Sequence, residues 1–346
     1  MTVYRLDPLT DPRWPRFVES QADASVFHTT GWLEALRRTY GYEPVAFTTS
    51  PPHTDLSNGI VVCRISSWLT GRRLVSLPFA DHCEPLTASA SDAATLIYGL
   101  TEFAAAGNCA YVEIRPRTAG LEDAGLVPSG SFAFHHVDLR PPIADLFGRL
   151  HKSTIQRKIR RAEQAGLRYE HGASESLLDK FYALMVLTRR RHTLPPQPIA
   201  WFRNLVACME DRVTIRVVSL DERPIASVLT LSHGRTVVYK YGGSDAAFHH
   251  LGSMPLLLWK VIEEAKSLSM NELDLGRSDH DNPGLITFKD RWGSVRSTVT
   301  YLRGNIARPK RRGQADFGAG LARRAFARMP DRLLTTAGRL LYRHIG

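Results

Sequence analysis

The chain has no run near the roughly 20 consecutive apolar residues that a membrane-spanning helix needs. Its first ten residues, MTVYRLDPLT, do not set a basic segment before an apolar one, as an export leader would. The expected location is therefore the cytoplasm. Cysteine is scarce: Cys63, Cys83, Cys109 and Cys208 are the four in 346 residues, and none has CxxC spacing. This excludes a disulfide framework and a zinc ribbon, leaving reduced, mostly buried small apolar residues. Cys83 in DHCEP has His82 and Glu84 beside it, but neighbours in sequence need not be neighbours in space, and no nucleophile is read there.

Acidic residues are short in two places. Against a net charge of +11 for the whole chain, residues 304–346 hold ten Lys or Arg and two Asp, a net +8. The segment RLHKSTIQRKIRRAEQAGLR, Arg149 to Arg168, sets seven basic residues against Glu163 alone. The basic signal is thus one helix and a tail rather than a uniformly basic body.

What is present is ordinary globular material, 43% hydrophobic and 23% charged, in a length that suits two domains. The first half reads as a helix over Thr30–Tyr40 capped by Thr30, then strands PVAFTT, GIVVCRISSW and RLVSLPF. A helix from Ser91 as cap to about Ala106 follows, and strands CAYVEIRP and SFAFHHVDL close the half. Pro141-Pro142 punctuates, and a basic helix Leu150–Ala165, ended by Gly166, opens the second half. Helices near Ser176–Arg191 and Pro198–Glu210 precede strands VTIRVVSL, PIASVLTLS and RTVVYKYGG, joined by turn chemistry in DERP and HG. Ser253 reads as the cap of an amphipathic helix through Leu268, and the strand NELDLGR follows.

Meander, amphipathic helix and strand therefore occur twice, which predicts a tandem duplication of one α+β unit. The same order is central to the GNAT acyltransferase fold. Its coenzyme A loop normally reads [QR]-x-x-G-x-[GA], with backbone N–H groups cradling a pyrophosphate at a helix N-terminus. Here the place reads His249-His250-Leu251-Gly252-Ser253-Met254, retaining only the central Gly252, and Pro255 removes a donor. That departure counts against a coenzyme A donor.

Six segments in order carry a wider resemblance: FHTTGWLEALRRTYGYEP (Phe27–Pro44), LPFADHCEPL (Leu77–Leu86), KSTIQRKIRRAEQAGL (Lys152–Leu167), LTRRRH (Leu187–His192), YKYGGSDAAFHHLGSMPLLLW (Tyr239–Trp259) and LDLGRSDHDNPGLITFKDRWGS (Leu273–Ser294). Over about residues 25–303 the chain resembles the FemAB/FemX-like family of tandem-GNAT transferases. The resemblance implies two GNAT-like domains, 1–148 and 149–303, followed by a basic helical tail, 304–346. It implies transfer of an activated acyl or aminoacyl group, from aminoacyl-tRNA or acyl-CoA as donor substrate, onto an amine of an anionic cell-wall or envelope precursor. The runner-up is an acyl-CoA-dependent N-acyltransferase of exopolysaccharide synthesis; a non-catalytic RNA- or membrane-binding protein is the alternative of another class. The long helical arm of some members is lacking, which fits the shorter ones and leaves open whether tRNA is a partner.

Aminolysis of an ester or thioester needs a neutral amine, a donor to the tetrahedral oxyanion and a proton for the leaving atom. In the Fem-like pattern a Phe-Lys pair occupies such a place, and Phe288-Lys289 matches it. Lys289 is the candidate catalytic or substrate-orienting cation, with a plain surface lysine as the alternative. Asp81, after an apolar strand in LPFADH, is the second catalytic candidate, a carboxylate to accept an ammonium proton or hold the amine, or else a strand-end cap or turn residue. Arg191 suits a phosphate or carboxylate, or the C-terminal dipole of its helix. Tyr241 and Arg277 are candidate ligand contacts at strand ends, against packing or a surface ion pair. Lys152, Arg157 and Arg160 offer an anion-binding face, against a merely solvated helix. Asp279-His280-Asp281 has metal-type donors, but three adjacent loop residues seldom converge on one ion, and no metal is expected. The tail segment DRLLTTAGRLLYRHI sets Leu333, Leu334, Ala337, Leu340, Leu341 and Ile345 on one face. That pattern suits a membrane surface, docking on the body, or RNA contact.

Overall fold

A computed structural model describes residues 2–118, 120–121, 124–306 and 329–345. The chain divides into two units. One comprises Met1–Phe132, Thr298–Gln314 and Leu340–Gly346, and the other Ala133–Ser297 and Ala315–Arg339. The sequence reading puts its boundaries at 148/149 and 303/304.

The first unit begins with β1 (Tyr4–Leu6), α1 (Arg13–Ser20) and α2 (Thr30–Tyr40), followed by the antiparallel meander β2 (Glu43–Thr48), β3 (Ile60–Ser67) and β4 (Gly71–Val75). α2 starts where expected, but its capping oxygen belongs to Thr29, which accepts from the Trp32 N–H; Thr30 is already helical. α3 (Ala90–Ala106) is likewise capped two residues earlier than expected, by Ser89. α3 returns the chain to β5 (Tyr111–Ile114), which pairs parallel to β4 with Leu74 opposite Val112. Within this unit the strands lie in the order β1-β2-β3-β4-β5, with the later β12 (Val295–Asn305) antiparallel to β5. Leu96, Ile97 and Leu100 of α3 pack on Phe47, Ile60, Val62 and Leu74 to form the core. This is the alternation of strands and the helical spacing read from the sequence, buried on one face.

β6 (Val127–Asp138) carries the chain into the second unit. There a short α4 (Ile143–Arg149) precedes the basic helix expected over Leu150–Ala165, whose regular part is α5 (Arg157–Gln164). Between them Lys152–Gln156 forms a wide π turn. The side-chain amide of Gln156 donates to the carbonyls of Phe147 at 3.0 Å and Leu150 at 2.8 Å, satisfying the end of α4. That wide turn is accompanied by side-chain hydrogen bonds that no periodicity displays.

β7 (Arg168–Gly172), α6 (Glu175–Arg191) and α7 (Ile199–Met209) lead into a second meander of β8 (Val213–Leu220), β9 (Arg223–His233) and β10 (Thr236–Ser244). The β8–β9 turn holds Asp221 and Glu222 at φ of 46° and 63°, the left-handed geometry of a tight hairpin. α8 (Ser253–Ser267) then crosses over to β11 (Glu272–Ser278), parallel to β10 with Thr236 opposite Glu272. The strand order in this unit is β6-β11-β10-β9-β8-β7. Each unit therefore contains a meander, a crossover helix and a parallel return strand, the same α+β arrangement twice. α8 buries Leu257, Leu258, Val261, Ile262 and Ala265, and the core continues through Ile159, Leu273 and Trp292.

α9 (Pro283–Asp290) follows β11. The tail's described part is α10 (Asp331–Ile345). In the second unit Asp331 pairs with Arg190 and Leu334 is buried. In the first unit the Tyr42 hydroxyl donates to the Tyr342 carbonyl at 2.9 Å. Leu333 and Leu340 are exposed, so the apolar face read from the sequence is only partly covered. The remaining tail positions, including Arg308 and Arg323, lie outside the described residues. Among the described residues no helix is long and apolar enough to cross a membrane.

Candidate active site

A cavity of about 300 Å³ opens in the second unit at the N-terminus of α8. The π turn and α5 supply Thr154, Ile155 and Lys158, the end of β10 supplies Ser244, and the following turn supplies His249. Ser253, Met254 and Pro255 of α8 line it, with Phe288 and Arg291 from the end of α9. None of these is a carboxylate. The entrance to α8 is fixed by Gly252, at φ 80°, where a Cβ would collide with the Lys158 carbonyl. Only glycine tolerates both the left-handed backbone and that approach. Ser253 is the first helical residue and not the side-chain cap the sequence suggests. The leading N–H groups of a helix have no acceptor within it, and Pro255 removes one of them.

The electrostatics of this pocket favour an anion. Burial, with Arg191 and Lys158 nearby, holds the His249 imidazole below its ordinary value and so neutral at pH 7. The Ser244 hydroxyl lies 2.8 Å from His249 Nε2 and orients the ring. Arg191 Nη1 donates to the Ser244 carbonyl at 3.2 Å, which keeps this guanidinium beside the cavity. A helix N-terminus with Lys158, Arg191 and Arg291 around it suits a phosphate-bearing ligand.

The sequence-derived candidates distribute unevenly about this place. Phe288 lines the cavity, and Arg191 reaches its edge through Ser244. Lys152, Arg157 and Arg160 are exposed on the π turn and α5, and Arg160 stacks over Phe147 at 5.6 Å. Lys158, which the sequence reading did not single out, is the α5 cation that lines the cavity. Its place is set by packing, because the backbone of α5 at Lys158 is what Gly252 approaches at the entrance to α8. Arg291 and His249 were also missed as site residues, since nothing local distinguishes them from surface groups.

Tyr241 sits in the interior, where its hydroxyl accepts from Gln197 Nε2 at 3.1 Å and Trp201 Nε1 at 2.9 Å. Lys289 is only 4% exposed. Its ammonium donates to the carbonyls of Gly276 at 2.8 Å and Arg277 at 3.0 Å. Those carbonyls belong to a kink in β11, where Gly276 takes φ 71° and its N–H donates to Asp274 Oδ1 at 2.6 Å. Arg277 itself approaches Asp279 at 3.5 Å. Next to Lys289, Asp290 accepts from the buried His135 Nε2 at 3.1 Å. Asp81 is a residue of the first unit, half-buried, with its carbonyl accepting from the Tyr301 hydroxyl at 2.8 Å. In the same unit burial pushes the Cys83 thiol well above its ordinary value, so no ready thiolate exists there at neutral pH.

Residues 149–289 match the acetyltransferase (GNAT) domain family. That span contains the entrance to α8, most of the cavity lining, and Lys289. Among solved structures the chain is similar to FemX, with a TM-score of 0.70 at 14% identity over 87% of this chain and 97% of that one. It is also similar to L-PGS from Bacillus licheniformis, with a TM-score of 0.58 at 14% identity over 92% and 98% of the two chains. A tandem GNAT protein from the clavulanic acid biosynthesis pathway gives a TM-score of 0.55 at 9% identity over 89% and 99%. No curated protein matches the sequence. Residues 149–289 are thus a GNAT acyltransferase domain, within a chain whose fold is that of tandem-GNAT structures such as FemX.

Proposed function

We propose that the chain moves an activated acyl or aminoacyl group onto an amine of an anionic envelope precursor, with the donor's phosphate-bearing part seated at the entrance to α8. The observation that carries this is the cationic cavity lined by Lys158 and Arg291 with no carboxylate among its lining residues. In the reaction the amine nitrogen bonds to the acyl carbonyl carbon and the C–S or C–O bond to the donor breaks. The amine gives up a proton and the leaving sulfur or oxygen takes one. His249, neutral and bordering the cavity, is the nearby group able to accept a proton. Lys289 serves this site by holding the β11 kink on the strand beside α9, while its neighbour Phe288 contacts the ligand.

For the donor, acyl-CoA is favoured over aminoacyl-tRNA by the GNAT domain match and by a cavity sized for a small ligand. The divergence of the loop around Gly252 then alters how a pyrophosphate is held, with side-chain cations replacing lost backbone donors. Purified protein is incubated with acyl-CoA or with charged tRNA and an amine acceptor, and thiol release or deacylation is followed. Acyl-CoA consumption that weakens in Lys158→Ala and Arg291→Ala through a higher KM is expected. Consumption of charged tRNA alone would transfer the donor role to RNA, and turnover of neither would overturn the reading.

A further inference from the structure

The β3–β4 hairpin of the first unit ends in Trp68-Leu69-Thr70, with Trp68 85% and Leu69 40% exposed. An indole left in water forgoes the burial that makes tryptophan useful to a core. This tip is nevertheless built firmly. Ser67 Oγ accepts from the N–H groups of Leu69 at 3.1 Å and Thr70 at 3.0 Å, and lies 2.9 Å from His344 Nδ1. The Thr70 hydroxyl and the Arg73 guanidinium each donate to the His344 carbonyl at 2.9 Å, closing the C-terminal end of α10. The His344 ring meets the Trp68 indole edge-on at 5.6 Å. The indole is therefore held at a fixed exposed position.

More of the same chemistry surrounds it. Leu340 lies one helical turn before His344, on the same helix face, and is 62% exposed. Arg72 and Arg343 are exposed cations next to the hairpin and helix end. Leucines give nothing to a phosphodiester chain, so an aromatic-leucine tip edged by arginines matches a lipid surface better than a nucleic acid. Indoles settle at the headgroup level, leucines enter the acyl boundary and arginines are drawn to anionic headgroups.

We propose that the Trp68-Leu69 hairpin tip, with the last turn of α10, is an anchor that seats the protein on an anionic bilayer. The proposal does not depend on which donor or acceptor the transfer site uses. The full chain is co-sedimented with vesicles rich in phosphatidylglycerol and with vesicles of phosphatidylcholine alone, beside Trp68→Ser and Trp68→Phe. Wild type is expected to bind the anionic vesicles only, with Trp68→Ser reducing the bound fraction about tenfold and Trp68→Phe recovering part of it. Thermal melting shows each variant to be folded, and turnover on soluble substrates is measured in the same samples. Trp68-dependent binding with no turnover would sustain the anchor while the transfer reading fails. Equal binding by wild type and Trp68→Ser, absence of vesicle binding, or binding that depends only on charge and is competed away by RNA would each overturn it.

Discussion

His135 shows how much a single buried group can set. Its side chain is 0% exposed, and Nε2 reaches Asp290, yet burial keeps the imidazole below its ordinary value despite that carboxylate. Lys289 and Arg296 act in the same direction, and Asp290 opposes them. The folded state therefore binds a proton less readily than the unfolded one. The stability contributed is present above about pH 6.5 and is lost as pH falls from there through the lowered folded value. Melting temperature measured against pH should decline in this window, and His135→Gln should flatten the decline. An unchanged profile in the variant would remove His135 as its source. Neither the burial nor the partners of His135 were visible in SFAFHHVDL, where alternation indicates a strand but cannot say which of two histidines is enclosed.

At the scale of elements, the Lys289 clamp joins α9 to the kink of β11. Replacing it by methionine keeps apolar volume but strips the Gly276 and Arg277 carbonyls of a charged donor, which costs about 1–3 kcal/mol. Lys289→Met is thus expected to melt earlier and, measured while still folded, to have lost most of its turnover. Full turnover per folded molecule would confine Lys289 to holding the strand. The sequence showed the Phe-Lys pair and its place after LDLGR, because pattern and order are local properties. It did not show that the ammonium turns to the backbone, because that depends on where Gly276 bends a different element. For the same reason the meanders, α3 and α8 were legible from period-2 and period-3.6 patterns, whereas the π turn that opens the basic helix was not.

For the molecule as a whole, the +11 charge makes salt the lever that separates donors. A ligand held by the few cations around the α8 entrance should lose only about tenfold in affinity between ~50 and ~200 mM salt, whereas RNA spread over many cations would lose on the order of a thousandfold. The shallow dependence is expected for acyl-CoA, read by equilibrium binding at each salt concentration. A steep one for the consumed donor would shift the site of recognition to the basic helix and tail.

The amino-acid sequence by itself determined that a meander, a helix and a strand occur twice, and where the basic charge lies. Those follow from residue periodicity and composition, which act along the chain. Tertiary structure alone decided that Lys158 rather than Lys152, Arg157 or Arg160 lines the cavity. It also turned Tyr241 inward and Lys289 onto carbonyls, and left Trp68 in water. Each of these outcomes depends on which surface a distant segment covers, and burial of that kind is a property of packed elements that a local pattern does not encode.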